Sequence, residues 1–235
     1  MSGTAPVAAI LPLFNGRRFV RQAIDSILAQ QPVPAEIVIV DDGSTDGGVR
    51  LLAGLPGLRI VSQPNAGEAS ARNRGIRETS APLIAFLDQD DVWTARKLSL
   101  QLGLLGREPS IDIAYGRHRL FVEDGAPWFR PGLLDRPLAA ELPGAMLVRR
   151  RAFERIGLFR EDMRLGSDVD WIWRAYDAGI TSRAIEDTVL LRRMHGANAS
   201  IDRNAFMDSL LRAARESVHR KRGKAGTGGS HLEIG

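Results

Sequence analysis

The chain contains no cysteine. Disulfides, Cys-based zinc sites, iron–sulfur clusters and thiol nucleophiles are therefore excluded. Lysine is almost as scarce, since Lys97, Lys221 and Lys224 are the only three among 32 Lys and Arg residues. Such an Arg bias has a bland origin in base composition, or it supplies guanidinium forks for phosphates or an anionic surface. Aromatic residues are 6% of the chain and no basic stripe is interleaved with them, so nucleic acid is not an expected partner. Long apolar runs are missing as well. No stretch of about 18 apolar residues offers a membrane span. The segment Met1 to Val7 is polar and lacks the apolar core of a signal peptide. A cytoplasmic location is expected, with peripheral membrane contact left open by the basic run His219-Arg-Lys-Arg-Gly-Lys224.

What is present is ordinary for a folded protein. The 235 residues are 44% hydrophobic and 26% charged, with a formal net charge of +4. That suits a single domain able to bury a core without covalent staples. The first two thirds alternate strand and helix signals. Strands are expected at Ala8–Pro12, Glu36–Asp41, Leu58–Ser62 and Leu83–Leu87. Helices are expected after Asn15 (as a cap), at Val49–Leu55, at Gly67–Glu78 and at Thr94–Leu105. This alternation predicts an α/β fold with a mostly parallel sheet flanked by helices. Beyond residue 107 the expected elements are a strand at Ile111–Val122, a long loop to Glu141 and a strand at Ala145–Arg149. Helices at Arg151–Ile156 and Asp168–Ala178, short strands at Ser182–Ile185 and Val189–Arg193, and an amphipathic helix over 204–221 follow. From Gly223 the Gly/Ser-rich sequence reads as a flexible tail, 223–235.

Two of the expected strands end in acids, Asp41-Asp42 and Asp88-Gln-Asp-Asp91. Ligands of open α/β sheets bind beyond the carboxyl ends of strands. One acid suffices to cap a helix, so clustered acids there point to a cationic or hydrogen-bonding ligand. Asp-x-Asp after a hydrophobic strand offers hard oxygen donors to Mg²⁺ or Mn²⁺ carrying phosphates.

The chain resembles family 2 glycosyltransferases with the GT-A fold. The matching segments are Ile10-Leu-Pro-Leu-Phe-Asn-Gly16, Ile37-Val-Ile-Val-Asp-Asp-Gly-Ser-Thr-Asp46, Asn65-Ala-Gly with Ala71-Arg-Asn-Arg-Gly75, and Ile84-Ala-Phe-Leu-Asp-Gln-Asp-Asp-Val-Trp93. Leu147-Val-Arg-Arg, Gly157-Leu-Phe, Asp168-Val-Asp-Trp171 and His195-Gly-Ala-Asn-Ala-Ser200 continue the match. The resemblance implies one domain over 1–222, with a nucleotide-sugar half at about 8–107 and an acceptor half at about 108–222. It implies inverting, metal-dependent transfer of one sugar, of hexosyltransferase type, from a nucleotide-diphosphate sugar to an acceptor hydroxyl. A UDP-sugar is favoured as donor, and a glycan, lipid-linked sugar, peptide or small molecule fits as acceptor. Carried over position by position, Pro12 and Phe14 lie near the nucleoside and Asp42 accepts a hydrogen bond from the base. Arg72 meets the nucleotide, Asp88 lies near the ribose, and Asp90 ligates Mn²⁺ or Mg²⁺. His195 supplies a further metal or diphosphate contact, and Asp168 is the general base. Here Ser167 stands where the family usually has Glu before that base, which leaves Asp170 as a rival. Trp171 and Trp173 read as core, or else as acceptor wall. Gln-x-x-Arg-Trp, the mark of processive synthases, is missing. A nucleotidyltransferase would want a Gly- and Arg-rich phosphate loop where Leu13-Phe-Asn-Gly16 stands. A domain that binds nucleotide or a partner without turnover is the remaining alternative. Acceptor choice is expected to reside in the loop 123–142 and the C-terminal helix.

Overall fold

The structure, a computed structural model, describes residues 3–123, 137–139, 141–196 and 203–227. Its strands are β1 (Thr4–Leu13), β2 (Val33–Asp41), β3 (Leu58–Ser62), β4 (Leu83–Phe86), β5 (Val92–Trp93), β6 (Ile113–Val122), β7 (Leu138–Ala139), β8 (Met146–Arg149) and β9 (Ser182–Met194). Its helices are α1 (Val20–Leu28), α2 (Glu68–Arg77), α3 (Lys97–Arg107), α4 (Arg150–Ile156), α5 (Ser167–Asp177) and α6 (Arg203–Thr227). The strands form one sheet in the order β3-β2-β1-β4-β8-β6-β9-β5, with β7 paired to β6. No helix among the described residues is long and apolar enough to cross a membrane.

The parallel expectation holds for β3, β2, β1 and β4. The whole sheet is mixed, because β8 runs antiparallel to both β4 and β6. Crossover segments join the sequential strands of the parallel half, α1 between β1 and β2, a short 3₁₀ turn between β2 and β3, and α2 between β3 and β4. β8, in contrast, turns directly into α4 and needs no such crossover.

Burial explains the near-continuous apolar strands. Ala9, Leu11 and Leu13 of β1 face a core shared with α1 and α3. Ile10, one residue out of phase, faces a second core shared with α2, α4 and α5. Ala85 and Phe86 divide in the same way. A sheet covered on both faces leaves no polar side to its strands. Helix α2 lies so close to β1 that a Cβ on Gly75 would come within 2.3 Å of Ile10. The second core holds an aromatic cluster. The Trp171 ring lies 4.6 Å from Phe153 and 5.7 Å from Phe159. Trp171 Nε1–H donates to the Gly157 carbonyl at 2.9 Å. Trp171 is thus core, and it fixes the start of α5. Trp173 is half-buried against the same cluster.

Several local expectations are corrected. Asn15 does not cap α1: Phe19 is the cap residue and no side chain bonds there. Asn15 has φ of 49° and its Oδ1 accepts from the Thr45 N–H at 2.9 Å, so it fastens two loops instead. The helix at Val49–Leu55 is a short 3₁₀ turn, Gly48–Leu52. The two strands expected at 182–185 and 189–193 are one, β9, whose extra residues are absorbed where its register on β6 shifts around Arg117. α6 continues past Gly223 to Thr227, so five residues assigned to a flexible tail are helical, and 228–235 lie outside the described residues. Most of the loop 123–142 lies outside them too.

Candidate active site

Because β1, β2 and β4 are parallel, their carboxyl ends share one edge of the sheet. That edge carries Phe14, Asp42 and the run Asp88–Asp91. Pro12 is buried inside β1, and Phe14, just beyond it, is 45% exposed. Gln89 holds Phe14 in place: the Phe14 N–H donates to Gln89 Oε1 at 2.8 Å and Gln89 Nε2 donates back to the Phe14 carbonyl at 3.0 Å. The residue between the two aspartates therefore ties the first loop to the acidic one.

Asp42 is buried and its carboxylate accepts three hydrogen bonds. They come from Gln63 Nε2 at 2.8 Å, the Ala66 N–H at 2.9 Å and the Gly67 N–H at 2.8 Å. It caps no helix through N2 or N3 but pins the turn that leads into α2. Asp41 faces otherwise and accepts from the Ser44 N–H at 3.0 Å.

The motif Ala71-Arg-Asn splits in two directions. Asn73 joins α2 to the segment after α4, donating to the Phe159 carbonyl and to Glu161, both at 2.8 Å. Arg72 is buried, and its NH2 reaches Asp88 Oδ1 at 2.7 Å and also Glu68. Its Nε is buried without a hydrogen-bond partner. Desolvation pushes the Glu68 carboxyl up to about 7, with Arg72 opposing and the charges of Asp88 and Asp168 adding to the rise. Glu68, one helical turn before Arg72, escaped the sequence reading, although Glu four residues ahead of Arg is a legible pair.

His195 follows β9, and the pairing of β5 with β9 carries it to the acidic loop. Its Nε2 lies 2.9 Å from Asp90 Oδ2, and its ring lies tilted against Phe19 with centroids 4.8 Å apart. Asp91 turns inward and accepts from the Arg193 N–H at 2.9 Å. Burial, then the charges of Asp88 and Asp90, raise its carboxyl well above the ordinary range. Arg193 also donates to the Asp90 carbonyl at 2.8 Å and to Gln22 at 2.6 Å. Asp91 belongs to the acidic cluster at the strand end, whereas Arg193 gives no signal in the sequence, because its role exists only once β5 and β9 meet.

Among the described residues, no group of three His, Asp or Glu side chains is arranged to hold a metal ion. Asp90 and His195 supply one carboxylate and one imidazole on one spot. That donor pair fits an ion such as Mn²⁺ or Mg²⁺ that takes its other ligands from phosphate oxygens and water.

Asp168 is half-buried in the first turn of α5, whose cap residue, Gly166, is glycine. It caps nothing. Its charge acts on both Arg72 and Glu68, so it lies near that pair. Asp170 is fully buried and turned away. Its Oδ2 accepts from Arg174 Nε at 2.8 Å, while Arg174 donates to the carbonyls of Ile156 and Leu158, both at 2.7 Å. Ser167 is buried at the helix start. A separate cleft of about 530 Å³ lies by Arg17, Asp41, residues 44–47 and residues 49–51, and none of Asp42, Arg72, Asp88, Asp90 or Asp168 lines it.

Residues 8–157 match the family model described as glycosyl transferase family 2. A curated relative from Rickettsia felis, described as an uncharacterized glycosyltransferase, is 32% identical over 185 residues. The match covers 71% of this chain but 30% of that protein, so the chain spans about a third of this relative's length. Two solved structures share the fold. Staphylococcus aureus TarS 1-349 in complex with UDP-GlcNAc has a TM-score of 0.71 at 16% identity, covering 91% of this chain and 69% of that one. The mannosyltransferase PcManGT from Pyrobaculum calidifontis, in complex with GDP-Man and Mn²⁺, has a TM-score of 0.71 at 19% identity, covering 93% and 65%.

Proposed function

We propose that this chain, which belongs to glycosyl transferase family 2, moves one sugar from a nucleotide-diphosphate sugar to an acceptor hydroxyl with inversion at the anomeric carbon. The observation that carries the reading is the Asp90–His195 contact of 2.9 Å beside the Arg72–Asp88 pair of 2.7 Å at one sheet edge. A UDP-sugar is the favoured donor. The complexes of TarS with UDP-GlcNAc and of PcManGT with GDP-Man and Mn²⁺ support a nucleotide-sugar donor and a divalent ion. The missing Gln-x-x-Arg-Trp motif supports a single, non-processive transfer.

In this reading Pro12 and Phe14 flank the nucleoside, and Asp42 accepts from the base while holding the turn 63–67. Asp88 accepts from the ribose, and Arg72 donates to the nucleotide. Asp90 and His195 would hold Mn²⁺ or Mg²⁺, which when bound neutralises charge developing on the diphosphate. The acceptor oxygen bonds to the anomeric carbon as the bond from that carbon to the phosphate oxygen breaks. The bonding pair leaves with the nucleoside diphosphate, and Asp168 takes the hydroxyl proton. A hydroxyl is a poor nucleophile at neutral pH, and such base assistance is worth about 10²–10⁴-fold.

Thermal-shift measurement with UDP, GDP and other nucleoside diphosphates, with and without Mn²⁺, tests the donor site. Ligand at about 100 times its dissociation constant stabilises by about 2.7 kcal/mol. UDP with Mn²⁺ is expected to raise the melting temperature most. No shift with any nucleoside diphosphate and either ion would sink the proposal.

A further inference from the structure

Arg72 lies at the donor edge with its side chain 3% exposed. A buried guanidinium can move only if its partners release it. Those partners are two carboxylates on the same nitrogen: Asp88 at 2.7 Å, and Glu68 from one turn earlier on α2. The Nε edge is buried with no partner. In a folded protein an orphaned buried N–H marks an unfilled hydrogen-bond set, since leaving it unmade is costly. The turn before Glu68 is fixed by Asp42, whose carboxylate holds the Ala66 and Gly67 N–H groups. Asp42, Glu68 and Arg72 are therefore one connected unit.

We infer that Glu68 is a positioning residue for the donor: with Asp88 it grips Arg72 by its NH2 group, so that the remaining guanidinium N–H groups are kept for oxygens of the nucleotide diphosphate. The inference rests on the donor-site reading above. Two effects of Glu68 compete. Its negative charge repels an anionic donor, and its hydrogen bond aligns Arg72. The Glu68 carboxyl, pushed up to about 7, carries only part of its charge at neutral pH, so its repulsion of the donor is weak. The bond it makes is charge-assisted and ends on a buried group, where geometry is strictest. Alignment outweighs repulsion.

Isothermal titration of UDP in the presence of Mn²⁺, on the full chain, separates the two with three substitutions. Glu68→Gln keeps the acceptor oxygen at the same reach and is expected to bind UDP within about twofold of the parent. Glu68→Asp keeps the charge but falls one methylene short of Arg72. Glu68→Ala loses both. Each of the last two is expected to bind UDP about tenfold more weakly, the scale of one hydrogen bond to a charged group. Donor KM should rise in parallel while kcat at saturating donor stays within about twofold, a split that mere loss of stability would not give. If Glu68→Ala and Glu68→Asp bind as tightly as the parent, or Glu68→Gln binds as weakly as they do, the positioning role is wrong. A parent that binds neither UDP nor GDP overturns the donor-site reading as well, which the variants alone cannot do.

Discussion

Asp90 and His195 stand 105 positions apart in the chain and meet at 2.9 Å. Among the described residues, no group of three His, Asp or Glu side chains is arranged to hold a metal ion. The pair can hold an ion firmly only with help from phosphate oxygens. Asp90→Ala should therefore abolish the extra stabilisation that Mn²⁺ adds to UDP, leaving the melting temperature of the ligand-free protein unchanged. Thermal shift with UDP, with Mn²⁺ and with both reads this directly. Equal responses in variant and parent would place the ion elsewhere.

The two aspartates of α5 should separate rate from stability. Asp168→Asn keeps shape and removes basicity, so transfer should fall about a hundredfold or more while UDP affinity barely changes. Asp170 is fully buried on Arg174, and its loss of charge weakens a hydrogen-bonded ion pair that ties α5 to the end of α4. Asp170→Asn should cost about 1–3 kcal/mol of stability and less in rate. Urea unfolding together with transfer assays tests the crossover. The reverse order in rate would make Asp170 the base.

Lys97 predicts a pH dependence of stability. It is fully buried, with Nζ donating to Gln101 Oε1 at 2.6 Å and to the Met146 carbonyl at 2.9 Å. Burial pulls its ammonium pKa well below the ordinary value. The unfolded chain then binds one more proton than the native one, so stability rises with pH until the unfolded lysine titrates near about 10.4. Over the interval between the lowered folded pKa and about 10.4, the parent should gain up to about 1.4 kcal/mol per pH unit relative to Lys97→Met. Parallel urea midpoints for the two across that range would contradict the assignment.

Helix α6 docks through charges. Ser217 Oγ and Arg220 Nε both donate to Asp177, at 3.0 and 2.8 Å, and Arg212 reaches Asp162 at 2.6 Å. Burial raises the Asp177 carboxyl, but the hydrogen bonds from Arg220 and Ser217 outweigh it and hold the group below its usual value. Hydrogen bonding from Arg160 does the same for Glu216. Both folded pKa values are depressed, so their contribution is present above the ordinary carboxylate range and is lost as pH falls below about 4. Protection of the 207–221 amides from hydrogen exchange should fall first in that acid window, and Asp177→Asn should lower the protection already at neutral pH and flatten its pH dependence. The outer face of α6 exposes Met207, Leu211 and Val218. Docking on α5 predicts only weak sedimentation with anionic vesicles at physiological salt. Strong, salt-sensitive binding lost on deleting 204–235 would assign that face to a membrane.

Elements with long runs or clear punctuation were legible in the sequence. Ile37–Val40 read as a strand because both of its faces are buried, and Gly157 and Gly179 marked helix ends through their positive φ. β5 was not legible, since two residues carry no period and exist as a strand only against Leu190 and Leu191. β9 read as two pieces because Glu186-Asp-Thr188 interrupts its apolar pattern where the register shifts. Asn15 fits the sequence pattern of a cap, yet a tertiary bond to Thr45 claims it. At the candidate site the acids at the strand ends could be read from position alone. Two of the partners they find could not: Gln89 on Phe14 and Asp91 on Arg193 depend on contacts made by the folded chain, whereas Glu68 and Arg72 stand four residues apart on one helix, a spacing open to the sequence.

On the proposed function, this sheet edge breaks the bond between sugar and diphosphate. The most direct measurement is release of UDP from UDP-sugars by the purified chain with Mn²⁺, where water takes the place of the acceptor at a slow rate. The parent should release UDP from at least one UDP-sugar, Asp90→Ala should release none, and added acceptor should accelerate release only while Asp168 is intact. Tight UDP binding with no release from any UDP- or GDP-sugar, with either ion, would contradict transfer and leave a nucleotide-binding domain without turnover.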